Sequence, residues 1–138
     1  MGLVRSIVSW CGVLAVGLEA WALPEEIVPV VQALDRFMMA GKEGDASRGA
    51  QLLDRYETSP RRTEREIGEF FEKNRVVFES YQSIAKDIYG YEFKEKGYRG
   101  RNVELEGGLE TEPGLGVEFS ARLVFRDGRW WILSLEID

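Results

Sequence analysis

The sequence predicts an α+β fold in which three N-terminal helices pack on a curved antiparallel sheet of about four strands. Two periodicities in the chain support this prediction. Apolar residues recur every three to four positions in the first half and every second position in the second half. An Asp-Gly pair joins the last two alternating runs, so we expect the chain to close with a β-hairpin.

Size and composition indicate one ordinary globular domain. The chain has 138 residues, of which 44% are hydrophobic and 30% are charged. Its formal net charge of -6 opposes contact with phosphate backbones, so nucleic acid is not an expected partner. The absence of histidine from the sequence removes the commonest metal ligand and the usual general base near neutral pH.

Residues 1–22 have the pattern of a secretory signal peptide. Arg5 gives a positive start, an apolar run follows, and Ala20 and Ala22 supply the small residues that signal peptidase requires. We expect cleavage after Ala22, which leaves residues 23–138 as one mature domain. The mature protein is then secreted to the bacterial periplasm or the exterior, with no stable membrane insertion.

Two other fates of this N-terminal segment stay open. A lipoprotein would be acylated at Cys11, but the bulky Trp10 stands where such a site needs a small residue. The segment could instead stay uncleaved as a membrane anchor. However, an apolar run of about 12 residues is too short to span a hydrocarbon core of about 30 Å comfortably. Cleavage would remove the one cysteine of the chain, so no disulfide is expected.

The first predicted helix follows Glu25 and Glu26, whose negative charges suit the positive end of a helix. Gly41 and the pair Gly44-Asp45 end this helix. Between them runs one apolar stripe at helical spacing: Ile27, Val30, Val31, Leu34, Phe37 and Met38.

Two more helices are predicted before the sheet. The second begins with Asp45 as its N-cap and runs to about Glu57. The third begins at Thr63, because Thr63 and Glu66 form a capping-box pattern.

The end of the third helix has two interpretations. Helical spacing continues at Phe78 and Tyr81, which favours a longer helix. However, the segment after Arg75 is rich in β-branched and aromatic residues, so we place the helix end near Arg75 and a strand after it.

The last two strands are predicted with their faces. Residues 117–125 alternate between apolar and polar, as in a half-buried strand, and Asp127-Gly128 forms the turn. The return strand is predicted to place Trp131, Leu133, Leu135 and Ile137 on one face and Trp130 and Ile132 on the other. Because both faces are apolar, we expect this strand to be central in the sheet or covered on both sides. If two copies pair through the sheet face, the second copy would cover Trp130 and Ile132.

This layout resembles the NTF2-like superfamily, the cystatin-like α+β cone. The resemblance rests on the helical run from Ile27 to Phe71 and on the final hairpin, in which Asp127-Gly128, Arg129 and Trp130 join two apolar strands. It implies a cavity between sheet and helices and a homodimer through the sheet face. The most similar members are small exported proteins of unknown function. Ligand-binding modules, isomerases, dehydratases and association domains share this fold, which therefore does not choose a function.

The resemblance makes six aromatic residues candidates for lining such a cavity. They are Phe37, Tyr56, Phe70, Phe71, Trp130 and Trp131. A small apolar ligand is the molecule that this cavity would bind. Ordinary core packing is the favoured interpretation, because large aromatic residues dominate protein cores.

Candidate chemistry in such a cavity is limited to carboxylates and phenols. Isomerases of the superfamily use an aspartate base and a tyrosine donor, and the nearest pair is Asp54 and Tyr56. Residues two apart on a helix point about 200° apart, so this pair does not converge. Four other residues carry a suitable group without a spacing that singles one out: Tyr81, Asp87, Glu118 and Glu136. The His-Asp pair of the related dehydratases is excluded, because the chain has no histidine.

Acidic residues alternate along and beyond one predicted strand, namely Glu104, Glu106, Glu110 and Glu112. They could hold calcium, but a solvated acidic face is the favoured interpretation. No metal and no cofactor are therefore expected. The sequence predicts an exported, non-enzymatic binding or association module; a small-molecule-binding protein or cofactor-free isomerase using the cone cavity is the alternative.

Overall fold

The described part of the chain consists of four helices and a curled antiparallel sheet of five strands. The structure, a computed structural model, describes residues 23–54, 60–84, 88–112, 114 and 116–138. The predicted signal peptide, Tyr56 and Asp87 lie outside the described residues. The α+β class is confirmed, but the described helices number four rather than three. They are α1 (Val28–Lys42), α2 (Ala46–Ala50), α3 (Pro60–Lys73) and α4 (Arg75–Ser80).

The sheet is antiparallel throughout its named strands. These are β1 (Tyr81–Ser83), β2 (Ile88–Gly97), β3 (Gly100–Thr111), β4 (Val117–Arg126) and β5 (Arg129–Ile137). β4 lies between β3 and β5, while β1 and β2 both pair with β3. The hairpin predicted from Asp127-Gly128 is confirmed, because β4 and β5 are hydrogen-bonded neighbours across that turn.

The two faces of the sheet have different surroundings. The inner face meets the helices and carries buried residues such as Leu105, Ala121 and Leu123, which belong to the main core. The outer face carries the residues between them, such as Glu104, Ser120 and Arg122. The alternation that predicted half-buried strands therefore sorts these residues as expected.

α1 forms on the predicted apolar stripe. Val30, Leu34 and Phe37 are buried, and the helix lies against β1 and β5. Pro29 falls in its first turn, where the missing N–H is not needed. The helix ends before Gly44, whose positive φ of 71° is a conformation that glycine adopts without strain.

α2 is much shorter than predicted. Asp45 is its N-cap, as expected, and its carboxylate accepts a hydrogen bond from the backbone N–H of Arg48 at 3.0 Å. The helix stops at Ala50, because the chain then joins the edge of β5. Ile132 donates to the carbonyl of Leu52 and accepts from the N–H of Asp54, both at 2.9 Å. These long-range bonds replace those of the helical turns that the sequence predicts.

α3 begins three residues earlier than the capping-box pattern indicates. Its first residue is Pro60, a residue type suited to the start of a helix. Thr63 is a buried residue inside the helix, so the predicted N-cap at Thr63 is wrong.

The segment after Asn74 is helical, which corrects the predicted strand. α4 begins at Arg75, and only Asn74 separates it from α3. Phe78 is 1% exposed and joins the core, so the helical spacing at this position was the better guide. β1 then starts at Tyr81.

A bulge in β5 changes which residues face the core. Leu123 pairs with Ile132 and Arg122 pairs with Ser134, so Leu133 is an extra residue. The core therefore receives Trp130, Ile132, Leu135 and Ile137. The outer face receives Trp131, Ser134 and Glu136. Trp130 is 8% exposed and Ile132 is 1% exposed, so this chain itself covers the two residues that we expected a second copy to cover.

No helix among the described residues is long and apolar enough to cross a membrane.

Candidate functional site

The predicted aromatic residues of the helices lie together in the core. The ring of Phe37 has its centroid 5.3 Å from that of Phe71 and 6.3 Å from that of Phe70. Phe78, which the sequence analysis did not include, lies 4.8 Å from Phe71 and completes the group. Because these rings contact one another, they form an aromatic cluster between the helices.

The two tryptophans lie elsewhere, on opposite faces of the sheet. Trp130 is on the inner face near the final hairpin, with ring centroids 5.3 Å from Phe125 and 6.0 Å from Phe93. Trp131 is on the outer face, where the guanidinium groups of Arg126 and Arg129 lie 4.4 Å and 3.6 Å from its ring centre. The structure therefore does not bring the five described candidates around one space.

A phenol and a carboxylate meet inside the protein, but they bind each other. The hydroxyl of Tyr81, whose residue is 0% exposed, donates a hydrogen bond to Asp35 on α1. Burial raises the pKa of the Tyr81 phenol far above its ordinary value, and the bond to Asp35 raises it further. Lys42 also donates to the backbone carbonyl of Tyr81, at 2.6 Å. The hydrogen bond between Tyr81 and Asp35 links β1 to α1. The Tyr81 hydroxyl and the Asp35 carboxylate therefore already bind each other.

Sequence reasoning named Tyr81 and missed its partner Asp35. Asp35 and Lys42 are seven residues apart on α1, which places them on one helix face. This spacing was the available signal, but it does not reveal that Tyr81 lies opposite.

The buried carboxylate of Asp54 also has its partners within the protein. Its side chain is 1% exposed and accepts a hydrogen bond from Arg126 at 2.6 Å, while a nitrogen of Arg99 lies 3.7 Å away. The hydrogen bond to Asp54 raises the pKa of Arg126. Arg129 donates to the carbonyl of Gln51 at 2.7 Å, so this arginine cluster fastens the segment after α2 to the final hairpin.

A groove of about 420 Å³ opens on the outer face of the sheet. Strand pairing places its lining in two rows that cross β2, β3, β4 and β5. The first row is Gly90, Glu106, Ser120 and Glu136. The second row is Glu92, Glu104, Arg122 and Ser134. Small residues, Gly90, Ser120 and Ser134, leave room between the charged ones.

The β5 bulge is what gives this groove a polar wall. If β5 had no bulge, strict alternation from Trp131 would place Leu133, Leu135 and Ile137 on the outer face. With it, Ser134 and Glu136 occupy the outer face and line the groove. A single extra residue in one strand therefore decides the chemistry of the site.

Some charged side chains in the groove have partners of opposite charge and others do not. Lys94 donates to Glu104 at 2.8 Å, and this hydrogen bond lowers the pKa of Glu104 and raises that of Lys94. The guanidinium of Arg122 lies 3.9 Å from the same carboxylate, an ion pair, and makes no hydrogen bond within the described residues. The carboxylates of Glu106 and Glu136 have neither a hydrogen bond nor an ion pair to the described part of the chain.

The acidic residues of the sequence analysis are therefore divided by the structure. Glu104 and Glu106 line the groove together with Glu136, whereas Glu110 and Glu118 do not. The described residues contain no group of three or more acidic residues placed to hold a metal ion.

The chain was also compared with known proteins. A scan against models of protein families found no match, and neither did a search of curated protein sequences. Among solved structures, Aln2 from a Streptomyces species is similar, with 16% identity, a TM-score of 0.47, and coverage of 84% of this chain and 91% of that chain. A DUF4783 family protein from Bacteroides ovatus is also similar, with 16% identity, a TM-score of 0.37, and coverage of 86% of this chain and 96% of that chain. Similarity at this level carries no function to this chain.

Proposed function

We propose that this protein is an exported, non-enzymatic binding module of NTF2-like architecture, and that its binding site is the outer groove. One observation carries the proposal. The side chains of Arg122, Glu106 and Glu136 line a common groove and make no hydrogen bond to the described part of the chain. The buried polar groups of Tyr81 and Asp54, in contrast, are held by partners within the protein.

The dimensions of the groove suit a small polar molecule. Its volume of about 420 Å³ lies in the range of ligand sites. Its lining of carboxylates, serines and one guanidinium favours a polar ligand over the small apolar ligand that the sequence analysis expected.

The interior offers less support for an isomerase. Such an enzyme needs a carboxylate base and a hydrogen-bond donor that both reach a substrate. Tyr81 donates to Asp35, and Asp54 accepts from Arg126, so these groups are not directed at a ligand. Phe37, which the cavity hypothesis requires as lining, is packed among other rings.

Association with a second copy is the other form of this proposal. A homodimer through the sheet face would have to use the outer face, because Trp130 and Ile132 are already covered. That face carries charges of both signs, as in Glu106 and Arg122, which a symmetric contact can pair. Light scattering after size-exclusion chromatography measures this, and a monomer at millimolar concentration would contradict it.

An amide-resolved NMR titration tests the binding site. A mixture of small polar compounds is added to the labelled protein, and we expect the largest shifts at Gly90, Ser120 and Ser134. Ser120→Trp fills the centre of the groove and should abolish these shifts. Glu118→Trp is the matched control, because Glu118 lies on the outer face of the same strand but does not line the groove. Shifts that survive Ser120→Trp, or that map to Phe37 and its neighbours, would contradict the proposal.

A further inference from the structure

We infer that the groove binds a zwitterionic ligand of the size of a short peptide, with its amine between Glu106 and Glu136 and its carboxylate at Arg122. This inference deepens the proposed function and rests on it. The strand register, the charged groups without hydrogen bonds, and the room between them support it.

One end of the groove is suited to an ammonium group. Glu106 lies opposite Ser120 on one side and Glu136 lies opposite Ser120 on the other. Adjacent strands are about 4.8 Å apart, so the backbones of the two glutamates are about 10 Å apart. A serine between them leaves space for a cation that both carboxylates reach. An ammonium group has three donors, enough for both carboxylates and the Ser120 hydroxyl.

The other end is suited to a carboxylate. Arg122 is two residues from Ser120 on β4 and points to the same face. Its side chain is 50% exposed and its guanidinium lies 3.9 Å from Glu104, a distance too long for a hydrogen bond. Glu104 is already engaged by Lys94 at 2.8 Å. The planar donors of Arg122 therefore make no hydrogen bond within the described residues and can form a bidentate contact with a ligand carboxylate, although the ion pair with Glu104 and the nearby Glu92 oppose that contact.

The separation between the two ends selects the length of the ligand. Residues two apart on a strand are separated by about 7 Å. This is the spacing of the two rows at their Cα atoms. The amine and the carboxyl carbon of a single α-amino acid are about 2.5 Å apart, whereas those of an extended dipeptide are about 6 Å apart, so the dipeptide matches this spacing better. A volume of about 420 Å³ accommodates a molecule of this size with room for side chains.

Titration of the purified protein with the dipeptide Ala-Ala, followed by amide NMR, tests the inference. We expect saturable shifts at Ser120, Arg122 and Glu136. N-acetyl-Ala-Ala lacks the amine and Ala-Ala amide lacks the carboxylate, so each should bind at least about 10-fold more weakly, the loss of one charge-assisted contact. Equal binding of Ala-Ala and both blocked forms would overturn the inference.

Variants assign each end of the ligand. Glu136→Gln should weaken Ala-Ala and leave N-acetyl-Ala-Ala unchanged, because the blocked form has no ammonium for that carboxylate. Arg122→Gln should weaken Ala-Ala and leave Ala-Ala amide unchanged. Glu118→Gln removes a charge from the same face outside the groove and should change neither.

Two negative results have different meanings. If other compounds shift the groove residues and Ala-Ala does not, the ligand class is wrong and the proposed binding site stands. If no compound shifts these residues, both the inference and the proposed function fail.

Discussion

Two glycines within helices differ in the space that is available for a side chain. A Cβ atom at Gly41 in α1 would lie 2.2 Å from the ring of Phe78, whereas one at Gly68 in α3 would lie 3.7 Å from its nearest neighbour, the Cβ of Ala46. We expect Gly41→Ala to destabilise the protein by about 1–3 kcal/mol, because the core ring must move. We expect Gly68→Ala to stabilise it by up to about 1 kcal/mol, because alanine loses less backbone entropy in a helix.

Urea unfolding of the two variants beside the natural protein measures both free energies. The difference between the two changes in the free energy of unfolding is the informative quantity, since both substitutions add the same methyl group to a helix. Equal effects of the two substitutions would mean that Phe78 does not pack against Gly41 as described.

The buried phenol of Tyr81 should make the folded protein less stable at high pH. Its pKa in the folded protein is raised above the ordinary value by burial and by Asp35. Below pH about 10 the phenol is protonated in both folded and unfolded chains. Above that value the unfolded chain ionises first, so the free energy of unfolding falls as the pH rises further.

Tyr81→Phe should cost about 1 kcal/mol at neutral pH, the value of one hydrogen bond. It should also reduce the loss of stability above pH of about 10, because the group that titrates is gone. Denaturation curves between pH of about 8 and about 11 measure this dependence. Tyr98→Phe removes the hydroxyl of a tyrosine residue that is 53% exposed and serves as the control. A pH dependence identical in the Tyr81→Phe variant and the natural protein would show that Tyr81 is not its source.

At the scale of elements, the arginine cluster joins segments that are distant in sequence. Asp54 and Arg126 are 72 residues apart, and their contact holds the extended segment after α2 against β5. The side chain of Asp54 is 1% exposed, so its replacement by Asn leaves the positive charge of Arg126 without its main negative partner. We expect Asp54→Asn to cost about 2–4 kcal/mol, and a double-mutant cycle with Arg126→Gln to give a coupling above about 1 kcal/mol.

An exposed ion pair provides the comparison. Arg101 and Glu95 are 2.6 Å apart, but their side chains are 41% and 71% exposed. The same cycle on this pair should give less than about 1 kcal/mol, because solvent screens it. A coupling for Asp54 and Arg126 no larger than this would mean that the cluster does not fasten the segment.

Periodicity predicted α1, β4 and β5, but it did not predict the helix after Asn74, the start of α3, the end of α2 or the β5 bulge. The stripe that includes Leu34 and Phe37 determines α1, and the alternation of residues 117–125 determines β4, since each pattern is local. The end of α2 depends on hydrogen bonds between the segment 52–54 and Ile132, which are distant in sequence. The β5 bulge depends on the register with β4 and has no local signature at Leu133.

At the scale of the whole molecule, the groove depends on these same non-local features. Glu106 and Glu136 flank Ser120 because β3, β4 and β5 pair in one particular register. The sequence identified both glutamates as polar residues of strands, but it did not place them side by side. The aromatic candidates, in contrast, were identified by residue type alone, and they separate into the core, the inner hairpin end and the outer face.

Processing of the chain is the last prediction at this scale. Leu23 packs against the core and the carbonyl of Pro24 accepts a hydrogen bond from Ile27 at 3.0 Å, so a protein that begins at Leu23 keeps all of the described core. We expect the chain to be exported and to begin at Leu23, and intact-mass spectrometry of the secreted or periplasmic fraction tests both expectations. Ala20→Asp should block cleavage, because signal peptidase requires a small uncharged residue there.

Trp21→Ala is the matched control, since the position between the two small residues accepts many side chains and cleavage should continue. A lipid-modified mass beginning at Cys11 would instead establish the lipoprotein alternative. An intact N-terminus in the membrane fraction would establish the anchor. In both cases the groove would be held close to a membrane, and its ligands would be limited to those that reach that surface.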